Sequence, residues 1–517
     1  MGKRISIVTA IGTDVITEAS QLPITDTGEH YESSTVEGAL QEAGAQLSAI
    51  DADLEELQRA VYTGAVYGLY WDGTLTNSAT RIGGAVGKVF EPTVGTTLGR
   101  NDFESIRPWS NVVRCNLADD GTVNAFEGEP TFTLDGSNGQ VMVRIPKFYY
   151  RVVTDGYART WYIAADPVGG LEVHPAFVAG GVEIDAIYVS AYMGAEESGK
   201  LVSKTGVLPQ YNKTRSQFRA LARARGADPD GSGWGICDFL SYSALQLLML
   251  VMVGNLNAQD TIGRGFCDMP YSDSHTAQLT ETAVSRAVVT NAVAAEYQVN
   301  WQISIGTTRG GHQVANQRMI TSITDLGDGT SAIEFDGASV DVTAGNIVYS
   351  MPQKTGWADD LGSHSGRGSG TNGKDEICVL GVQGMWGNWW QFLDGANMDS
   401  SYYMWFADDP QTYVDDTFAT PYERLESQLL TGGNGYLRSF SDDPDAPWSM
   451  MIKETGGDNV KPVGDYYYMN TTPANRVLIV GGPWNSGSID GPWSWHVSTT
   501  SSAASWINGA RLLYKPV

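Results

Sequence analysis

The sequence predicts an α+β protein with a trimeric N-terminal coiled coil, a β-rich connector and a mixed head interrupted by an all-β insertion. Three observations carry this reading. A heptad-spaced apolar seam runs through residues 36–61. Short alternating strands separated by Gly, Asp and Asn turns fill most of the remainder. A C-terminal block crowded with Trp and Gly shows almost no helical periodicity.

Composition narrows the possibilities. The 517 residues include 33 Lys or Arg against 59 Asp or Glu, a net charge of −26. Charged residues are only 18%, so the imbalance reflects scarce bases. Such a surface repels phosphate, and no nucleic-acid partner is expected. Hydrophobic residues at 42% and 15 Trp exclude a chain too polar to fold. The four cysteines, Cys115, Cys237, Cys267 and Cys378, are widely spaced, which predicts free buried thiols in a reducing cytoplasm rather than a zinc site or disulfide framework. The N-terminus MGKRISIVTAIG lacks an apolar core and cleavage site, so no signal peptide is read. The longest apolar run, residues 244–253, falls short of the ~20 residues a membrane helix needs. The expectation is a soluble protein without membrane insertion.

The elements follow in order. Residues 1–32 read as an extended polar segment. Over 33–62, Val36, Leu40, Ala43, Leu47, Ile50, Leu54, Leu57 and Val61 alternate spacings of four and three, a heptad seam. Leucine at most a positions, with isoleucine among d, favours trimers or tetramers over dimers. Ser34 and Glu37 are spaced as a capping box. The alternative is an amphipathic helix lying on its own domain. Residues 63–180 form the β-rich connector, with strands in VMVRIPKFYYRVV and WYIAA. The head spans 181–275 and 353–517. Within it, TRSQFRALARAR reads as a helix with Arg215, Arg219 and Arg223 on one face, expected to be solvated, with a basic docking patch as the alternative. Residues 239–253 are apolar nearly all round and predict a buried helix. Residues 276–352 alternate apolar and polar with DGT and DGA turns, a small inserted β domain. A Gly/Ser linker covers 362–373.

Motifs of catalysis and metal binding are weak. GSHSG has His364 where a nucleophile elbow has serine. GSGTNG sits in a linker with no preceding strand, unlike a dinucleotide fingerprint. DPDGSG, with Asp228, Asp230 and Ser232, begins like a calcium loop, but Phe239 stands where a bidentate Glu is needed. The acid pairs at 408–409, 415–416 and 442–445 read as solvated loops. No cofactor, metal or catalytic residue is assigned. A paired-carboxylate glycan hydrolase stays open as an alternative, because its two acids need not be near in sequence.

The C-terminal block is the informative region. Trp386, Trp389 and Trp390 lie among close glycines, and Trp484, Trp493, Trp495 and Trp506 punctuate a Ser/Thr/Asn/Gly-rich stretch. Rigid aromatics mixed with small polar residues are the chemistry of a binding face. Trp386, Trp390, Trp484 and Trp506 are expected to fill a core, while Trp493, Trp495 and His496 are expected at the surface.

These residues resemble a known family. Gly384, Gly387, Asn388, Trp390, Asp394 and Gly395 match it, followed by Arg476, Gly481, Gly482, Trp484 and Gly487. The terminal Gly509, Ala510, Arg511 and Leu512 complete the pattern. Together they look like the C-type-lectin-fold variant shared by formylglycine-generating enzymes and variable proteins of diversity-generating retroelements. STVEGALQE, VMVRIPKFYYR, HPAFVAGGVEIDAIYVSAYMGA, TRSQFRALARARG and LSYSALQLLMLVMVGNLNAQDTIGRG resemble phage tail fibre proteins. The enzyme branch carries reactive C-terminal cysteines, and no Cys follows Cys378 here. The calcium-dependent sugar motifs are also missing, since Ser486 stands where an acid is needed. The resemblance therefore implies a non-enzymatic receptor-binding protein at a phage tail tip, made in the host cytoplasm and carried on the virion. It implies a homotrimer attached to tail proteins through residues 1–32. The receptor-contacting residues it implies are Pro483, Asn485, Ser486, Ile489, Trp493, Trp495, His496, Ser498, Thr499, Ser505 and Asn508. The partner is a host-cell surface receptor, protein or glycan. The alternatives are a tail-associated glycan depolymerase and a bacterial surface adhesin of the same fold.

Overall fold

The structure, a computed structural model, describes residues 34–94, 97–228, 231–363, 366, 372–430 and 433–516. The expected tail-attachment segment, 1–32, and most of the Gly/Ser linker, His364 included, lie outside the described residues. The chain is α+β, with strands predominating. Among the described residues, no helix is long and apolar enough to cross a membrane.

Helix α1 (Val36–Thr63) carries the heptad seam. Its N-cap is Thr35, whose hydroxyl accepts from the Gly38 amide at 3.2 Å; this corrects the expected Ser34–Glu37 box, because the cap falls one residue later and Gly38 has no side chain to return the bond. Gly64 ends the helix with φ 77°, a left-handed cap that suits glycine. The seam has two fates. Leu57 is 6% exposed and packs with Val66 and Ala164, with Val61 and Tyr162 alongside. Leu40, Leu47 and Ile50 are 56%, 62% and 60% exposed. The lower helix thus lies on its own domain, while the upper helix presents bare leucines and isoleucine.

A five-stranded antiparallel sheet follows, with Tyr67–Trp71 between Thr80–Gly83 and Ala158–Ala164, then Tyr149–Asp155 and Glu172–Val173. A six-stranded sheet runs in the order Trp234–Ile236, Leu512–Tyr514, Ala186–Ser190, Gln140–Pro146, Val113–Leu117, Val123–Phe126. It joins strands on both sides of residue 180, so connector and head share a sheet.

Helix α2 (Arg215–Arg223) opens with a Thr214–Gln217 capping box. Its arginines face inward. Arg215 and Arg219 are buried and bind Asp394 and Asp415, which corrects both the solvated-face and the docking-patch readings. Asp415 is therefore no solvated acid, and Asp443 is buried as well.

Helix α3 (Phe239–Val253) is buried at all 15 positions, as its unbroken apolar surface requires. It packs against both the five-stranded sheet and the Trp390–Met398 strand. Asp238 caps its start, accepting from Ser241 N at 2.6 Å. The Arg81 guanidinium closes its end, donating to the carbonyls of Val251, Met252 and Val253 at 3.0, 2.6 and 3.1 Å. A cation at a helix C-terminus satisfies orphan carbonyls and the macrodipole together.

Over α3 lies a nine-stranded sheet that curls into a half-barrel. Its centre runs Trp390–Met398, Arg476–Gly481, Gly491–Thr499, Tyr466–Tyr468, Gly435–Phe440. The insertion forms a separate five-stranded sheet with one helical turn, Asn291–Ala294. Its apolar core takes in Trp484 from the C-terminal block, which ties insertion to head. All four cysteines are buried and free.

Candidate functional site

Strand Gly491–Thr499 organises the C-terminal block, and its period of two decides what each side chain does. Trp493, Trp495 and Val497 point into the core under the half-barrel. Trp495 meets Phe239 of α3 edge-on at 5.6 Å, and Trp493 meets Phe440 at 6.0 Å. Both tryptophans are 0% exposed, so the surface display expected of them is corrected: they are anchors of the sheet. Trp386 and Trp484 are fully buried and Trp390 nearly so, as expected of scaffold, while Trp506 is half-buried.

His496 lies on the opposite face. Its ring is 5.3 Å from Trp390 and 5.1 Å from Tyr468. Tyr468 continues to Tyr466 at 4.8 Å, and Tyr466 to Tyr436 at 5.2 Å. The Tyr436 hydroxyl reaches Ser488 Oγ at 3.3 Å. A row of half-buried rings therefore crosses three strands, from His496 to the 483–490 loop. The register requires it: Tyr468 pairs with His496, and Tyr467, between the two outward tyrosines, turns into the core.

The expected receptor residues divide around this row. Asn485 is exposed on the 483–490 loop, with Ser486 and Ile489 half-buried beside it. Pro483 is buried and bridges to Asn388. At the other end, His496 Nδ1 accepts from Ser498 N at 3.4 Å and lies 3.3 Å from Thr499 Oγ1. Thr499 and Asn508 are buried, and Asn508 pairs with Trp390. Ser505 is half-buried, and its carbonyl accepts from Asn212 N at 2.9 Å. Pro483, Thr499 and Asn508 are thus scaffold, which corrects their place among the contact residues. Tyr436, Tyr466 and Tyr468 belong to the face and were not expected. The signal for Tyr466 and Tyr468 is the alternation in DYYYMN, which puts two of three tyrosines on one side of a strand.

Burial pulls the His496 imidazole down to about 4, so it is neutral near pH 7 and its Nδ1 accepts. The 500–507 loop leans on the insertion, where Trp506 packs between Trp484 at 4.9 Å and His312 at 5.0 Å.

A cleft of about 440 Å³ lies elsewhere, lined by Glu104, Glu127, Asp359 and Asp360 beside Trp109 and Ser363. Asp359 accepts from the hydroxyls of Tyr192 and Thr205, both at 2.5 Å, and from Gln383 Nε2 at 2.8 Å. Glu127 accepts from Ser363 N at 2.8 Å. These donors hold the 359–363 turn in place. The calcium-like turn closes on itself, with Ser232 Oγ 3.2 Å from Asp228 Oδ2, and Asp230 lies outside the described residues.

Neither a family model nor a curated protein matches this chain.

Proposed function

We propose that this chain is a receptor-binding protein of a phage tail, carried at the tail tip and adhering to a host-cell surface receptor without catalysis. The observation that carries the reading is the row Tyr436, Tyr466, Tyr468 and His496, flanked by Ser498 near the end of its strand and by loops bearing Asn485, Ser486 and Ser505. Aromatic rings bordered by small polar side chains bind sugars and protein loops with little loss of side-chain freedom. A C-type-lectin fold for the head is supported by the antiparallel pairing of Ala186–Ser190 with Leu512–Tyr514, which joins the two ends of that region. Trimerisation is supported by the exposed Leu40, Leu47, Ile50 and Leu54, an apolar seam that a second and third copy would cover. Three copies raise weak single-site affinity through effective concentration. With −26 on each chain, a protein or neutral glycan is a better receptor than an anionic polysaccharide.

The test is adsorption of the labelled full chain to a panel of bacterial strains. The double variant Y466A/Y468A is expected to lose at least tenfold in binding to any strain the parent coats, with its melting temperature nearly kept. Undiminished binding by that variant would remove the face from the mechanism. Release of reducing sugar from cell walls, abolished by E127Q or D359N, would replace adhesion with depolymerase activity at the acidic cleft.

A further inference from the structure

Lys515 and Asp238 meet in the core, where the last strand lies beside the start of helix α3. Asp238 sits between strand Trp234–Ile236 and α3, and Lys515 follows strand Leu512–Tyr514. Both side chains are wholly buried, with Lys515 Nζ 2.8 Å from Asp238 Oδ2. Their charges balance, yet the contact is not an ordinary ion pair. Among the described residues Nζ makes no well-directed hydrogen bond, to Asp238 or to any other acceptor. A buried ammonium normally satisfies its protons, because leaving them unmet is costly. Here the nitrogen lies close against the carboxyl group but off the hydrogen-bonding direction.

The surroundings treat the two carboxyl oxygens differently. Oδ1 accepts from the Ser241 amide at 2.6 Å, one of the free N–H groups in the first turn of α3. Oδ2 accepts from the Tyr413 hydroxyl at 2.8 Å. Burial, together with the Asp238 charge, pushes that hydroxyl well above the usual range, so Tyr413 keeps its proton. Asp394, bridged to Asp238 through the backbone, is held by Arg219 and does not compete for the lysine. Cys237 and His174 are the other titratable groups near Lys515, and burial keeps both neutral.

We propose that Lys515 and Asp238 condense into an intramolecular isopeptide bond. One proton passes from the Nζ ammonium to Oδ2, a transfer that removes both charges from a dry interior. The free amine then attacks Cγ, and the negative charge that develops on Oδ1 is met by the Ser241 N–H, as in an oxyanion hole. A second proton passes from nitrogen to Oδ2, the oxygen that Tyr413 already holds. The Cγ–Oδ2 bond breaks, one water leaves, and Nζ keeps a single hydrogen as the amide N–H. Nothing is oxidised or reduced, and no other reactant is needed. Holding amine and carboxyl in contact supplies the advantage of an intramolecular reaction. The bond fastens the last strand to the start of α3, so the two stay joined even when the sheet unfolds. This inference is independent of the receptor-binding reading.

The experiment is intact-mass spectrometry of the purified full chain under denaturing conditions, followed by a tryptic digest. The parent is expected to weigh one water less than its sequence requires, and the digest to yield peptide 226–264 joined to peptide 512–517 through Asp238 and Lys515. K515R, which keeps a cation but loses the amine, should regain the water and release the two peptides separately. Y413F, which removes the proton donor at the leaving oxygen, should lower the linked fraction severalfold. A parent at its full sequence mass, with the two peptides recovered apart, overturns the proposal and leaves a plain ion pair. A water lost from K515R as well, or lost within peptide 226–264 alone as by cyclisation of an aspartate, also overturns it. Undiminished linkage in Y413F overturns the step assigned to the tyrosine. If K515R fails to fold, the presence or absence of the linked peptide in the parent decides.

Discussion

Arg219 of α2 and Asp394 of the half-barrel meet in a two-pronged ion pair, 2.7 Å on each arm, with both side chains almost wholly buried. Burial alone would raise the Asp394 carboxyl, but the Arg219 guanidinium overrides it and holds the group below its usual range. Asp415 braces Arg219 at 2.6 Å, and Arg215 donates to the Leu393 and Ala396 carbonyls at 3.1 and 2.6 Å. R219L strands the buried carboxylate and should cost about 3–5 kcal/mol, measured by denaturant unfolding. The double variant R219L/D394L should recover much of that loss, because no charge is left unpaired.

The two sides of strand Gly491–Thr499 predict opposite outcomes. W495A empties a site against Phe239 and should cost about 3–5 kcal/mol. N485A, on the exposed loop, should change stability by less than about 0.5 kcal/mol. Thermal unfolding of the two variants in parallel checks the assignment.

Two histidines predict an acid limb in stability. Burial pulls His496 down to about 4; burial, with the Lys515 charge nearby, pulls His174 down to about 3. Unfolded, each titrates near 6.5, so below that pH the unfolded chain binds more protons than the folded one. Their contribution is intact above pH 6.5 and is lost on acidification through that window, at about 1.4 kcal/mol per pH unit for each group. The H496Q variant should show a shallower fall in melting temperature between pH 6.5 and 4 than the parent.

The two fates of the α1 seam can be separated. I50D lies on the exposed half and should convert a trimer to monomer in light scattering while leaving the melting of the head unchanged. L57D lies against Val66 and Ala164 and should lower that melting temperature. A parent that is monomeric by the same measurement would remove the coiled-coil reading.

Local signals in the sequence served well where the partner is local. The heptad of α1, the all-round apolarity of α3 and the alternation of the insertion each specify a period, and each element formed. Partners distant in sequence were invisible. Arg215, Arg219 and Arg223 announce one helix face, but Asp394 lies 175 residues beyond Arg219, and no spacing reveals that the face turns inward. Trp493 and Trp495 were misplaced for a different reason. Their Ser- and Gly-rich setting points to a binding surface, although Trp493, Trp495 and Val497 alternate as one face of a strand. The same rule locates Tyr466 and Tyr468.

Leu512–Tyr514 inserts between Ala186–Ser190 and Trp234–Ile236. On the ribosome, those two strands emerge long before the one that separates them. At ordinary elongation rates the gap is on the order of tens of seconds. Throughout that interval each offers an unpaired edge to any other nascent chain. Prematurely terminated products would carry that open slot permanently, which makes them candidates for aggregation and for clearance by cellular proteases.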